Sequence, residues 1–207
     1  DDFELKAVEP NLAPGDSTIV YLSAQGTDYR VVQATLSTCS GGDVMRVETP
    51  DHYLILAPGE TSVAAWEVKA NLDFPGNYDY INCPLTLNSP YLAPRTVEIK
   101  VSPKTQILPE FGASIKQSFA KPGEQNAVLF TVPQERQGKA HYVIAKNGVS
   151  VLRLDSAAGE IPFATAGVGQ VEIWVAGAGG GAKKLTFTSE LETDVSLESF
   201  EAPAVAI

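Results

Sequence analysis

The feature that most limits how this chain can fold is an alternation of polar and apolar residues with a period of two. Within Thr96–Val101, the apolar side chains at 97, 99 and 101 alternate with polar ones. Successive side chains of a β-strand point to opposite faces, so the pattern is typical of a strand with one solvated face. Similar runs occur at 17–22, 30–36, 63–70, 127–132, 142–145, 149–154, 171–175 and 184–188. No apolar repeat of helical period is long enough to form a helix, so the sequence predicts an all-β protein.

Turn sequences rich in proline, glycine and acidic residues separate these runs. The tetrapeptides APGD at 13–16, APGE at 57–60 and KPGE at 121–124 are near copies of one another. Proline presets φ at one central position of a turn, and glycine accepts the positive φ at the next. Turns at this frequency are what antiparallel hairpins and Greek-key connections require.

The pattern of turns and strands runs through residues 11–103 and starts again after the segment KTQILPE at 104–110. A length of 207 residues suits two domains of ordinary size, and about seven short strands per hundred residues is typical of a β-sandwich. We therefore expect two tandem antiparallel β-sandwich domains, residues 1–103 and 104–207, with the boundary near Pro103–Pro109.

Three stretches of the first predicted domain together form a recognisable order of turns and strands. LAPGDSTIVYL at 12–22 is followed by LAPGETSVAAWEVKA at 56–70 and by FPGNYDY at 74–80. The order Pro-Gly-Glu, strand, Pro-Gly-x-Tyr, strand resembles immunoglobulin-like modules of prokaryotic surface proteins, including the CARDB-type adhesion modules. The segment YVIAKNGVSVLRLDSAAGEIPF at 142–163 resembles the same modules. The resemblance implies tandem immunoglobulin-like sandwiches with a structural or adhesive role, and it implies no particular ligand.

The chain has two cysteines, Cys39 and Cys83, and neither belongs to a CxxC motif. Both fall within the first predicted domain, so in a secreted protein they would form one disulfide worth about 4 kcal/mol in the chain-entropy model. The alternative is a pair of buried thiols in a cytosolic protein. The acidity and the β architecture favour the disulfide and a secreted or cell-surface location.

The net charge of −10 limits which partners the protein can bind. An acidic surface repels phosphate backbones and anionic lipid headgroups, so we expect no nucleic-acid partner. No run of 18 apolar residues occurs, so we expect no membrane insertion. Other protein subunits remain the expected partners.

Residues that commonly carry catalysis or bind metals lie outside the usual sequence motifs. His52 and His141 fall in different predicted domains and in no known catalytic frame, so we interpret them as structural. The close Cys-His-Met spacing of a blue-copper site is missing. The aspartates lack the spacing of a calcium loop, which predicts a solvated acidic surface at Asp43, Asp51, Asp73 and Asp79. We expect no enzyme activity, no metal and no cofactor.

Trp174 is the side chain with the clearest hint of a ligand. It is out of phase with Ile173 and Val175 and shares a face with Glu172. An exposed tryptophan on a sheet could stack on a sugar ring or contact a partner protein. In the other interpretation, the first domain or the glycine-rich loop at 177–182 covers it. That loop precedes a strand and not a helix, so it predicts a hairpin end and not a phosphate site.

Both ends of the chain alternate as strands do. The alternating apolar positions are Phe3, Leu5 and Val8 near one end and Val195 and Leu197 near the other. They are interpreted either as the first and last strands of their own sandwiches or as a strand donated to the sheet of a neighbouring molecule. Strand donation makes a strong joint because backbone pairing is combined with buried alternate side chains.

These observations together predict a non-enzymatic extracellular protein that is structural or adhesive. The sharper expectation is a subunit of a homo-oligomer, surface layer or filament such as a pilus, assembled by strand donation. One alternative is a carbohydrate-binding accessory module that uses Trp174. The other is a periplasmic pilus-type chaperone, which resembles this layout in the strand before Pro103 and for which Arg95 or Lys100 would supply a basic anchor.

Overall fold

The computed structural model describes residues 2–39, 44–145, 152–154, 158–165 and 167–191. The prediction of an all-β protein is confirmed, because the helical content of these residues is one 3₁₀ turn at Gln134–Arg136. The strands preceding residue 102 are β1 (Asp2–Ala7), β2 (Asn11–Leu12), β3 (Ser17–Gln25), β4 (Arg30–Ser37), β5 (Met45–Val47), β6 (Asp51–Leu56), β7 (Thr61–Ala70), β8 (Ile81–Asn88) and β9 (Arg95–Val101). Those following residue 111 are β10 (Gly112–Ile115), β11 (Phe119–Ala120), β12 (Gln125–Thr131), β13 (His141–Ala145), β14 (Leu152–Leu154), β15 (Ala158–Ala164), β16 (Gly169–Gly177) and β17 (Ala182–Ser189).

The first sandwich consists of two sheets with the strand orders β1-β3-β7-β5 and β2-β9-β8-β4-β6. Neighbours are antiparallel except for the short parallel pair β2 and β9. The inward positions form one core that includes Leu22, Val32, Trp66 and Leu85, all fully buried. Trp66 donates its indole N–H to the carbonyl of Pro50 at 2.9 Å, which satisfies its polar atom within the core.

The predicted disulfide between Cys39 and Cys83 is confirmed. Cys39 follows β4 and Cys83 lies in β8, and these two strands are neighbours in one sheet. The bridge therefore ties adjacent strands of a single sheet together, and it does not cross the core between the two sheets.

The second sandwich consists of sheets with the orders β10-β12-β15 and β11-β17-β16-β13-β14. Its core contains Phe111, Phe130, Val143, Ile173 and Phe187. The Pro-Gly turns behave as predicted in both sandwiches, because Gly15, Gly59 and Gly123 all have positive φ. The two cores are separate, as tandem sandwich domains require.

Residues 102–111 connect the sandwiches and contain no strand. The boundary predicted at 103/104 falls within this connection, and its exact position stays a prediction. The sandwiches pack side by side. Strands β3 and β7 of the first sandwich meet β13 and β16 of the second, so a third apolar cluster forms between them.

Candidate functional site

The edge of β6 away from β4, which has no strand partner among the described residues, is the first candidate for a site of interaction. This strand ends the five-stranded sheet of the first sandwich, and β4 is its partner on the other side. The N–H of Leu36 donates to the carbonyl of Pro50 at 3.0 Å, which sets the phase of the ladder between β4 and β6. In an antiparallel ladder of this phase, the backbone groups of Asp51, Tyr53 and Ile55 point away from β4. The hydroxyl of Ser62 donates to the carbonyl of Ile55, and the other groups along this edge can accept an added strand.

Large apolar side chains stand on the outer face of this edge. Tyr53 and Ile55 are each 69% exposed, and Val31, which lies opposite Ile55 on β4, is 58% exposed. We call these three residues the edge patch. Single exposed apolar residues are common, but several together at an unpaired strand edge are a typical interaction surface. The edge patch is uncharged although the chain carries a net charge of −10.

The N-terminal strand β1 is also at an edge, and it pairs with β3 of its own chain. Phe3 lies opposite Ala24 and Leu5 opposite Leu22, with both side chains packed partly against the first core. The guanidinium of Arg95 lies 4.9 Å from the centre of the Phe3 ring, so it links the edges of the two sheets.

Val8, the third N-terminal position, follows β1 and packs against the cluster between the sandwiches. Its N–H donates to the carbonyl of Ile19 at 2.9 Å. The exchange of a terminal strand between molecules stays a prediction. Val195 and Leu197 lie outside the described residues.

Trp174 is buried between the two sandwiches. Only 6% of it is exposed, because it packs in a cluster with Ile19, Val63 and Ala65 of the first sandwich. The first sandwich therefore covers the ring, which offers no open face for a sugar to stack upon. Glu172, its neighbour on the same face, lies 3.5 Å from Lys184. Both partners of that pair are about half exposed, so it contributes little to stability.

Charged residues surround the apolar contact between the sandwiches. They line a cleft of about 450 Å³ that is bounded by Trp174 and whose other lining residues include Arg46, Glu48, His52, Glu67, Lys69, Glu172 and Lys184. Burial, and then the charge of Glu48, raises the pKa of Glu67, while Lys69, Lys184 and Arg46 oppose the shift. Thr49, at the rim of the cleft, has a φ of 47°, which is unfavourable for a β-branched residue.

The glycine-rich loop at 177–181 joins β16 to β17, as a hairpin end should, and it docks on the first sandwich. The N–H of Gly179 donates to Oε1 of Glu9 at 2.8 Å. The N–H of Gly181 donates to the carbonyl of Ser17, also at 2.8 Å. The loop thus uses its amide groups to bind a carboxylate and a carbonyl of the same chain.

Arg136 supports this loop from the second sandwich. It is 2% exposed, and its guanidinium donates to the carbonyls of Pro109, Ala178 and Gly180 and lies 5.1 Å from the Phe111 ring centre. Burial lowers the pKa of Arg136, and the charges of Asp16 and Glu110 oppose this. Sequence reasoning missed Arg136, since it lies in a 3₁₀ turn with no strand periodicity to mark its environment.

The two histidines and the two basic residues considered in the sequence analysis make contacts with aromatic rings. His52 packs 5.2 Å from Trp66, and the fully buried His141 lies between Phe111 and Phe130. The Lys100 ammonium lies 4.5 Å from the centre of the Tyr80 ring, and Arg95 lies over Phe3. Their use as a basic anchor in a periplasmic chaperone stays a prediction. Over the described part of the chain, no three His, Cys, Asp or Glu residues are grouped to hold a metal. No helix in that part has the length and apolar character needed to span a bilayer.

Comparison with known proteins yields only distant similarity. No family model matches the chain, and no curated protein matches it. The solved structures similar to it include the Salmonella enterica SafA pilin in complex with the SafB chaperone, at 11% identity and a TM-score of 0.37, covering 90% of this chain and 96% of that one. The Pseudomonas aeruginosa CupB2 chaperone is 12% identical with a TM-score of 0.36, covering 89% of this chain and 100% of its own.

A third similar structure belongs to a different kind of protein. The calcium binding domain CBD12 of CALX1.1 is 12% identical with a TM-score of 0.38, covering 86% of this chain and 79% of its own. Similarity at this level carries no argument about function, and the specific resemblance to CARDB-type modules stays a prediction.

Proposed function

We propose that this chain is a non-enzymatic structural or adhesive module that assembles with protein partners by β-strand addition at the β6 edge. The observation that carries the proposal is the edge patch, where apolar side chains flank backbone groups that point away from β4. An added strand would satisfy those backbone groups and bury Tyr53 and Ile55 at the same time. Backbone bonds supply affinity in this mode, and the side chains supply specificity.

We propose that the added strand is formed by residues 192–207 of a second copy of the chain. Residues 192–207 follow Leu191 and contain the alternating positions Val195 and Leu197. Alternation of this kind suits a strand that turns one face toward an apolar surface. A contact between residues 192–207 of one copy and the β6 edge of the next is heterologous, and such contacts build open filaments when the rotation does not close.

The disulfide supports a place for this assembly outside the cytosol. Disulfides form and persist in oxidising compartments, such as the periplasm and the cell surface. The buried histidines support a non-enzymatic role. His141 packs between aromatic rings, and His52 packs on Trp66, so both are buried by aromatic contacts.

Sedimentation velocity over a range of concentrations tests the proposal. We expect the full chain to self-associate, and we expect Ile55→Lys to leave it monomeric because a charge would be buried at the edge. The matched control is Leu129→Lys, which alters an exposed apolar residue on β12, a strand with neighbours on both sides. This control should associate like the unmodified chain.

A second arm separates the edge from the donated segment. A chain truncated after Leu191 should be monomeric, and it should bind a synthetic peptide of residues 192–207. The same truncation carrying Ile55→Lys should not bind the peptide. An unmodified chain that stays monomeric, or a peptide that binds the Ile55→Lys protein equally well, would overturn the proposal.

A further inference from the structure

We infer that the glycine loop is a clasp that locks the two sandwiches into one rigid body. The clasp consists of residues 177–181 with Glu9, Asp16 and Arg136. This inference is independent of the proposed function, since it concerns the contact between the sandwiches and not the β6 edge. It predicts that the clasp, and not the connection at 102–111, fixes the relative orientation of the sandwiches.

The hydrogen bonds of the loop cross from one sandwich to the other. Gly179 binds the carboxylate of Glu9, and Gly181 binds the carbonyl of Ser17. The N–H of Gly180 turns back to the carbonyl of Gly177 at 3.1 Å, so the loop is also held in shape internally. These amides therefore have protein partners and are not a vacant anion site.

Only glycine fits the centre of the clasp. Gly180 has a φ of +97°, and a Cβ built there would lie 2.0 Å from Oδ2 of Asp16. Gly179 has a φ of +90°, and its Cβ would lie 2.4 Å from Cδ1 of Leu108. A side chain at either position would strain the backbone because φ is positive, and it would displace the side chain of Asp16 or Leu108 from its place at the loop.

Electrostatic attraction adds to this fit. Asp16 of the first sandwich attracts the buried guanidinium of Arg136, which holds the carbonyls of Ala178 and Gly180 from the other side. The loop is thus enclosed between an acidic and a basic side chain. Asp16 and Arg136 also line a second cleft, of about 410 Å³, and the other charged residues that line it are Glu67, Lys69, Glu110 and Lys183.

Trp174 is a natural reporter of the clasp. The apolar cluster that contains it lies between the same two sandwiches, so separation of the sandwiches would expose its ring to water. Trp66 is the other tryptophan of the chain, and it is fully buried in the first core. Fluorine NMR of the fluorotryptophan-labelled protein gives one signal for each, and the two can be assigned with a Trp174→Phe variant.

The test compares Gly180→Ala with the matched control Gly123→Ala. Gly123 has a similar φ of +86°, but a Cβ there would meet nothing within 4 Å. We expect Gly180→Ala to shift the Trp174 signal and increase its solvent isotope effect several-fold while leaving the Trp66 signal unchanged. Backbone relaxation should then show the sandwiches tumbling separately. Gly123→Ala should behave like the unmodified chain in both measurements.

A second variant keeps the inference testable if Gly180→Ala does not fold. The double variant Glu9→Ala with Asp16→Ala removes the two acidic side chains of the clasp without adding an atom to the loop, and it should likewise expose Trp174 to water. A folded Gly180→Ala protein whose Trp174 signal and tumbling match those of the control would overturn the inference. So would a folded double variant with both properties unchanged.

Discussion

Gly179 in the second sandwich donates its backbone N–H to the carboxylate of Glu9 in the first at 2.8 Å, across 170 positions of the sequence. This bond links the glycine-rich loop, whose only side chain is the methyl group of Ala178, to an acidic residue just before β2. It lies beside an apolar cluster in which Trp174 contacts the outer faces of β3 and β7. The two sandwiches are therefore joined by polar bonds and by apolar burial, in addition to the connection at 102–111.

Trp174→Ala tests the apolar part of this contact. Removing a buried tryptophan commonly costs about 3–5 kcal/mol, through lost burial and the cavity left behind. We expect a decrease of about 3 kcal/mol in the free energy of unfolding, measured by urea denaturation. Folding of the first sandwich should persist, and near-UV circular dichroism of Trp66 would report it. A decrease below about 1 kcal/mol would show that Trp174 is not packed between the sandwiches.

The pH dependence of stability tests the charged groups of the interface. Burial is the largest cause that raises the pKa of both Asp16 and Glu67 above their ordinary values of 3.8 and 4.5. The folded state therefore holds these protons more tightly than the unfolded state. At low pH each group is protonated in both states and does not affect stability. As the pH rises from the pKa of the unfolded state through the pKa of the folded state, the group ionises more readily in the unfolded state, so the free energy of unfolding decreases.

Asp16→Asn with Glu67→Gln should remove this contribution. As the pH rises from below the ordinary pKa values of these two carboxyl groups toward neutrality, we expect the free energy of unfolding of the double variant to decrease less than that of the unmodified chain. Urea unfolding at each pH measures it. Glu172→Gln is a suitable control, because that carboxylate is about half exposed beside Lys184. A double variant whose pH profile parallels that of the unmodified chain would contradict the assignment.

The disulfide is expected to stabilise the first sandwich through the unfolded state. Cys39 and Cys83 are 44 residues apart, and closing a loop of this length is worth about 4 kcal/mol in the chain-entropy model. Cys39→Ser with Cys83→Ser should lower the free energy of unfolding by about that amount. Adding a reductant should lower the stability of the unmodified chain and leave that of the double variant unchanged.

The pairing of β1 with its own chain gives a prediction about concentration. Phe3→Ala removes a half-buried ring that packs on the first core and under Arg95, so it should cost about 2 kcal/mol. We would make this measurement in the Ile55→Lys protein, whose β6 edge is blocked. There, neither the unfolding midpoint nor the decrease in free energy caused by Phe3→Ala should change with protein concentration. A midpoint that rises with concentration there would instead indicate that β1 is exchanged between molecules.

Periodicity predicted much of the fold because a strand with one wet face must alternate. It missed β6 for a physical reason. Tyr53 and Ile55 are apolar on the outer face while Leu54 and Leu56 are buried on the inner one, so no alternation is visible. The residues that make this edge a candidate site are therefore the same ones that hid the strand.

The contacts between the sandwiches were beyond sequence reasoning for another reason. Alternation placed Trp174 on the face opposite the second core, but a period of two cannot tell which surface covers that face. The surroundings of Arg136 depend on Pro109 and Gly180, which lie 27 and 44 positions away in sequence. No local pattern encodes a contact of that kind.

The most direct measurement of the central claim is amide hydrogen exchange at the β6 edge. The protein truncated after Leu191 would be measured with and without the peptide of residues 192–207. If that segment adds to the sheet, the amides of Tyr53 and Ile55 should exchange much more slowly with the peptide present, while amides on β12 keep their rates. Unchanged exchange at Tyr53 and Ile55 under saturating peptide would contradict strand addition at this edge.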